Sequence, residues 1–400
     1  MKTTSIVSGA RVQANRRARF TPIRSLTPET LTSILDSFHA GELRAAALLW
    51  EAIEQRDDVL KAVACKRKKA PARFGWEVVA DDNSDEALQH KSALENFYRN
   101  VDASHACDRN ERGGFSLLLR QMMDAVGKRY AVHEIVWRPH PGGELGATFQ
   151  FVPLWFFENR EGQLRFLETE SVTRGTELEE DSWLVTTGDG LMEACSIAYL
   201  FKHLPLRDWL VYCERNGMPG VRGVTDAVPG TAEWDAARDA VQDFGAEFNA
   251  LMSRGTDIEA IDLRGSGELP YPALVDRMDK AIATLWRGSS MGTVVDGGAG
   301  ISLQGQETRL LEREDTVHLS DTLQRQVDPV VIRYRFGAAC PRARIVIKHK
   351  DTGLDTETVD GLRGILAEGL PKLISTFAQR LIQPPAIEPL LQGQQKRNAN

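Results

Sequence analysis

The 400-residue chain contains no uninterrupted run of eighteen apolar residues, so no membrane span is expected. Its five cysteines, Cys65, Cys107, Cys195, Cys213 and Cys340, stand far apart, with no C-x-x-C pair or Cys/His cluster among them. Neither a disulfide framework nor a zinc site is signalled, and a reducing cytoplasm suits such thiols. There is no basic excess: 49 Lys plus Arg stand against 56 Asp plus Glu, a net charge of −7. A protein that grips nucleic acid through its phosphates carries excess positive charge, at least locally. Tight DNA binding is therefore disfavoured, while loose passage of DNA past an acidic wall is not. The Gly-x4-Gly-Lys-Ser/Thr motif is missing, as is G-x-S-x-G. His133-Glu134 lacks the second histidine of a zinc protease and falls on an expected strand. Adjacent acids (Asp57-Asp58, Asp81-Asp82, Glu179-Glu180) lie in polar loops or helix ends, where solvation is the ordinary explanation. Nothing argues for catalysis, and no cofactor or metal is expected.

What is present is a soluble globular composition: 42% hydrophobic residues over this length allow a sizeable core in one to three domains. The first 25 residues hold six Lys/Arg and no acid, and without an apolar stretch they read as a disordered basic arm rather than a targeting signal. A helix is expected from SLTPET, with Thr27 as cap, Pro28 in the first turn and Leu31, Ile34, Leu35 and Phe38 on one face. A second helix covers LRAAALLWEAIEQ. DDVLKAVACKRKKAPARFGWEV reads as a third, its KRKK run a solvated C-terminus, leading to a strand at Trp76–Val79. Residues 85–99 and 114–126 look helical; RYAVHEIVW, TFQFVPLWFF, LRFLE and SWLVTT look like strands, giving an α+β first half.

The second half is mainly helical. CSIAYLFKHLPLRDWLVYCERNG is a long apolar helix with a kink or break expected at Pro205. TAEWDAARDAVQDFGAEFNALM places Trp234, Val241, Phe244 and Phe248 on a coiled-coil-like seam, and YPALVDRMDKAIATLWRG repeats it with Leu274, Met278 and Leu285. Single seams are ordinarily core packing; two in succession also suit packing between neighbouring subunits. The stretch GSSMGTVVDGGAGISLQGQETR follows, with Gly288, Gly292, Gly297, Gly298, Gly300 and Gly305. Its glycines suggest a phosphate cradle, but it has no lysine, follows a helix rather than a strand, and has Asp296 and Glu307 close by. A charged helix limited by Pro329, the strand ARIVIK and a last helix interrupted by glycines and Pro371 complete the chain.

The order of these segments resembles the portal proteins of Mu-like phages. The resemblance is carried by DDVLKAVACKRKKAPARFGWEV, DAVGKRYAVHEIVW, FVPLWFFENREGQLRFL, LPLRDWLVYCERNGMPGVRG, LMSRGTDIEAIDL, GSSMGTVVDGGAGISLQGQE and DGLRGILAEGLPKLI, spanning most of residues 26–385. It implies a non-enzymatic homo-oligomeric ring, commonly of twelve subunits, at one capsid vertex. Double-stranded DNA passes through it without sequence reading, driven by a terminase motor, and a head–tail connector docks below. It implies a virion component assembled in the bacterial host cytoplasm, with no membrane partner. The implied fold is α+β and predominantly helical, with an α/β wing, long stem helices, a small clip and a short helical C-terminal region. The expected divisions are a basic arm (1–25), a wing (26–190), stem and clip helices (191–287), and a glycine-rich tunnel-like loop (288–305). A helix and strand returning to the wing (306–350), a crown-like helical segment (351–385) and a disordered tail (386–400) complete them. The channel loop would comprise Gly288, Gly292, Asp296, Gly297, Gly298, Gly300 and Gly305. The stem contacts would be Trp234, Val241, Phe244, Phe248, Leu274, Met278 and Leu285. A closed ring needs heterologous interfaces, and long seam helices supply a repeated surface for them. The alternative is a nucleotide- or metal-dependent nucleic-acid-processing enzyme built on the glycine-rich loop.

Overall fold

The computed structural model describes residues 26–139, 143–168, 173–217, 221–236, 238, 249–252, 270–288, 298–337 and 340–349. The expected arm, crown-like segment and tail lie outside the described residues, as do Val241, Phe244, Phe248, Gly292, Asp296 and Gly297. All that follows concerns the unit Met1–His349.

The described residues begin with three helices: α1 (Pro28–His39), α2 (Leu43–Arg56) and α3 (Asp58–Lys69). Thr27 and Thr30 form a reciprocal cap, and Leu31, Leu35 and Phe38 turn inward. The Phe38 ring meets buried Trp50 of α2 edge-on at 4.7 Å between centroids. Gly41 joins α1 to α2 with φ +89°, and a Cβ there would lie 2.5 Å from the backbone at Asn159 and Arg160. Only glycine fits that turn, and it fixes α1–α2 onto a loop more than a hundred residues away.

Next come β1 (Trp76–Ala80), α4 (Asp85–Arg99), β2 (Asp102–His105), β3 (Arg112–Gly113), α5 (Phe115–Met122) and α6 (Asp124–Lys128). Strands β4 (Tyr130–Pro139), β5 (Leu145–Val152), β6 (Phe157–Glu158), β7 (Arg165–Phe166), β8 (Thr176–Glu177) and β9 (Trp183–Thr187) follow. The main sheet runs β3-β2-β5-β4-β9. All its neighbours are antiparallel except β2 and β5, which lie parallel. Strand β4, an inner strand next to the β9 edge, pairs Glu134 with Gln150 on one side and Trp183 on the other. It is covered on both faces, so residues Ala131 to Ile135 are all buried, including His133 and Glu134.

The second half holds α7 (Met192–Gly217), β10 (Val221–Val224), β11 (Asn249–Met252), α8 (Pro270–Arg287), α9 (Gly298–Gln326), α10 (Asp328–Phe336) and β12 (Ala343–Ile347). Strand β12 pairs antiparallel with β1, α9 buries Leu319 and Leu323 in the common core, and Val327 between α9 and α10 joins them. Gln326 accepts from the Val185 N–H at 2.9 Å and donates to its carbonyl at 2.8 Å, closing the β9 edge as another strand would. The fold is α+β and mostly helical, as expected.

Three expectations need correction. Of the kink or break expected at Pro205, the break does not occur: α7 is one continuous helix, although proline supplies no N–H to the preceding turn. The expected seam helix over 231–252 is helical at 232–236, but its end, Asn249–Met252, is a strand parallel to Val221–Val224. A short apolar run satisfies either periodicity, and tertiary pairing decides. Finally, Gly298, Gly300 and Gly305 of the expected loop lie in the first turns of α9. Glycine costs a helix only about 1 kcal/mol per residue, a penalty that a long helix absorbs near its end.

Two buried titratable groups pull stability in opposite directions. His133 has neither ring nitrogen hydrogen-bonded among the described residues; burial, with His105 nearby, pushes its pKa down to about 3. Burial raises the Asp328 carboxyl to about 7, against hydrogen bonds donated by the Tyr98 hydroxyl and the Ile345 N–H. The depressed histidine contributes stability above its unfolded pKa of 6.5, lost as pH falls from there toward 3. The raised carboxyl contributes stability that is complete below 3.8 and is lost as pH rises toward 7. His133→Phe removes the first and exposes the second. Compared with wild type, its thermal midpoint at pH 5 should rise relative to that at pH 7, equivalent to about 1–2 kcal/mol. An unchanged difference between the two pH values would contradict the assignment.

Candidate functional site at the root of a helical hairpin

Helices α7 and α8 lie against each other in opposite directions: Cys195 meets Trp286 near one end and Lys202 meets Asp279 farther along. Burial changes abruptly along the pair. Up to Lys202, α7 contributes Met192, Cys195, Ala198, Tyr199 and Leu200 to the interior. From His203 to Glu214 no residue is buried, although Leu206, Trp209, Leu210, Val211 and Tyr212 lie there. In α8 the buried residues are Ile282 and Trp286, both at the root, while Tyr271, Leu274, Val275 and Met278 are only half-buried. The hairpin thus has a buried root and arms whose apolar side chains find no interior of their own.

The root is locked by charge and by one indole. The Lys202 ammonium, in a residue 5% exposed, reaches Asp57 at 3.0 Å, Asp58 at 3.1 Å and Asp279 at 2.6 Å. Asp57 also accepts from the Leu60 N–H at 2.8 Å, capping α3. Burial opposes the charged lysine, but hydrogen bonds to Asp279 and Asp57 outweigh it and hold the pKa above the usual lysine range. Burial likewise opposes the Asp57 carboxylate, and His203, the Leu60 N–H and Lys202 bring it down to about 2. A single cation therefore ties α3, α7 and α8 together.

Trp286 is 1% exposed and points its Nε1–H at the Cys195 sulfur, 3.3 Å away. Its ring lies on Gly127 of α6, where a Cβ would come within 3.1 Å of the indole. Arg67 of α3 grips Asp315 of α9 with two bonds of 2.9 Å, both residues being under 9% exposed. Lys68 beside it bridges Glu54 at 2.5 Å and Asp124 at 2.7 Å, and Lys128 adds a second bond to Asp124 at 3.0 Å. Half of the KRKK run is thus internal, which corrects its description as a solvated helix end: Arg67 and Lys68 face inward, while Lys66 and Lys69 are exposed.

The glycine-rich stretch starts from this root. Gly288 ends α8 with φ +77° and donates its N–H to the Thr284 carbonyl at 2.8 Å. Residues 289–297 lie outside the description, and α9 begins at Gly298. Leu274, Met278 and Leu285 are half-buried along one flank of α8, and Trp234 is half-buried in the short helical turn after Thr231. The sequence analysis did not single out Lys202, Trp286, Arg67 or Asp315. A lone lysine inside the apolar run IAYLFKHLPL was the available signal, because a charge amid such residues must find partners. Among the described residues, no three His, Cys, Asp or Glu side chains are grouped to hold a metal, and no helix is long and apolar enough to cross a membrane.

Comparison with known proteins places this architecture. The family model described as the portal protein of Mu bacteriophage matches residues 47–381. The chain is 21% identical over 323 residues to the Mu-like prophage FluMu protein gp29 of Haemophilus influenzae, covering 76% of this chain and 60% of that one. It is 22% identical over 294 residues to the portal protein of Escherichia phage Mu, covering 70% and 54% respectively. The chain therefore spans little more than half the length of these curated relatives. A chain from a solved neck of an empty GTA particle, computed with C6 symmetry, superposes with a TM-score of 0.50 at 11% identity. That match covers 82% of this chain and 94% of the other, and it is a likeness of fold.

The lysine socket makes a sharp prediction. Lys202→Met leaves Asp57 buried without its counter-charge and should cost about 3–5 kcal/mol at pH 7 in denaturant unfolding. Adding Asp57→Asn should recover part of that loss. If the double variant is no more stable than Lys202→Met, the ion pair is not what holds the root.

Proposed function

The chain belongs to the family of Mu bacteriophage portal proteins, and on that premise we propose that it forms a closed ring at one vertex of a phage head. The ring, of about twelve copies, encloses a channel for double-stranded DNA during packaging and ejection. The observation that carries this is the hairpin. Its arms bear Leu210 at 62% and Val211 at 38% exposure, with half-buried Trp209, Tyr212, Leu274 and Met278 nearby. A helix that is apolar on several sides is stable only when covered on several sides, and copies arranged side by side around an axis supply that cover. Trp234, Val241, Phe244 and Phe248 belong to the segment that follows the α7 arm and are assigned to the same assembly.

The role is structural. A terminase motor drives the DNA, the capsid holds the ring, and a head–tail connector docks on it, so the protein resides in the virion after assembly in the host cytoplasm. The net charge of −7 suits a channel in which DNA slides, because phosphate contacts made by a basic wall would act as brakes. The glycine-rich segment between Gly288 and the start of α9, with Gly292, Asp296 and Gly297, faces the channel in this scheme, and Gly298, Gly300 and Gly305 in the first turns of α9 support its return.

Electron microscopy of the purified full chain should show rings of about a dozen subunits with an open pore; a protein that stays monomeric at micromolar concentration would overturn the proposal. Substituting Gly297, Gly298 and Gly300 with alanine stiffens the segment. It should leave rings intact while lowering the yield of packaged DNA per ring. Lost ring formation with normal packaging in the rings that remain would remove the loop from the channel.

A further inference from the structure

A cleft of about 350 Å³ opens among α2, α3, α5, α6 and the ends of β2 and β5, within the range of roughly 300–1,000 Å³ usual for ligand sites. None of the residues assigned above to subunit contacts or to the channel lines it. Its floor holds charges that the fold already balances. Lys68 bridges Glu54 and one oxygen of Asp124, and Lys128 holds the other Asp124 oxygen. A purely structural network would end there.

Three hydrogen-bonding groups remain beyond that balance. Gln121, 5% exposed, donates from Nε2 to the Ser104 carbonyl at 3.3 Å and to Glu111 at 3.4 Å. Its buried Oε1 accepts from nothing among the described residues. An amide oxygen left in that state costs about 1–3 kcal/mol, so the position calls for a donor. The His105 Nδ1 accepts from the Cys107 and Asp108 N–H groups at 2.9 and 3.1 Å, which puts the ring proton on Nε2, turned over to the cleft. Burial lowers the His105 pKa, so this neutral tautomer persists at pH 7. The Lys128 ammonium carries three protons and has one ion-pair partner among the described residues, Asp124. Around the cleft, Lys61 and Lys69 are exposed and have no ion pair among the described residues, whereas Glu111 is held by Arg120 at 2.8 Å. Five cations and four carboxylates line the cleft, a positive balance in a chain of net charge −7. Phe151 and Pro153 add apolar surface.

We propose that this cleft binds an acidic peptide segment of a protein partner. One Glu or Asp side chain reaches Lys128 and the exposed Lys61 and Lys69, and an adjoining backbone amide lies between His105 and Gln121. A peptide group offers both halves of what is missing: a carbonyl for the His105 Nε2–H and an N–H for the Gln121 Oε1. A phosphate brings strong acceptors and leaves Gln121 unanswered. A nucleic-acid strand would set its successive phosphates against Glu51 and Glu54. The proposal concerns a single subunit, so its failure leaves the ring assignment where it stands.

The probes are fluorescein-labelled, C-terminally amidated pentapeptide pools with a central Glu or Lys and mixed Ala, Leu and Ser neighbours. Anisotropy with the purified full chain should favour the Glu pool over the Lys pool by about tenfold. Lys61→Glu with Lys69→Glu, at exposed positions where the fold and its thermal midpoint should survive, should abolish that preference. Gln121→Met should weaken the Glu pool about fivefold, the worth of one hydrogen bond. Methylating the backbone nitrogen after the Glu should cost the same on wild type and nothing further on Gln121→Met. Equal binding of the two pools, or an unchanged preference in the double lysine variant, would overturn the proposal. So would an N-methyl loss that persists in full on Gln121→Met. Displacement of the Glu pool by inorganic phosphate or a twelve-nucleotide single strand at lower concentration than by unlabelled peptide would make the cleft an anion site and overturn the peptide assignment.

Discussion

Burying the Lys202 ammonium is the constraint on which the second half of the molecule is arranged. A charge taken out of water costs several kcal/mol unless oppositely charged groups and hydrogen bonds surround it. Three carboxylates do so here, from the start of α3 and from α8, so α7 cannot settle until both are in place. The socket also sets the point where α7 leaves the interior. Pro205 follows within one turn and leaves the Phe201 carbonyl without its helical donor. Phe201 is half-exposed, so water can satisfy that carbonyl, and the helix continues where a buried proline would have broken it.

Stability is consequently uneven along the hairpin. At the root, Trp286, Ile282 and Cys195 join the common core, and the Arg67–Asp315 pair clamps α3 to α9 beside them. In the arms no residue from His203 to Glu214 is buried, and large side chains such as Leu210 stay in water. Regions with few buried apolar contacts open at low free energy. Anything that binds the arms only in their paired form stabilises them by mass action. Covering the arms and ordering them would therefore be two aspects of one equilibrium, while the root holds its geometry through its own buried contacts.

Much of the fold was legible because its signals are local. Thr27 and Pro28 start α1, alternation marks β4 and β9, and the apolar ARIVIK run gives β12. What escaped notice depends on partners distant in sequence. Arg67 and Lys68 look like any basic helix end until Asp315, Glu54 and Asp124 arrive. Asn249–Met252 continues a helical pattern and becomes a strand only because Val221–Val224 offers an edge. The half-buried seam of Leu274, Met278 and Leu285 was visible from spacing.

The same root limits what the glycine-rich segment can do. It leaves α8 at Gly288, whose positive φ lets the chain turn beside Leu311, and returns at Gly298 into a helix that Asp315 pins to Arg67. Ten Cα–Cα steps separate those two glycines, a contour of roughly 35 Å, so the tip can stand no farther than about 17 Å from the nearer end. Whatever the segment touches must therefore lie within that distance of the hairpin root, where Trp286 and the Arg67–Asp315 pair are buried.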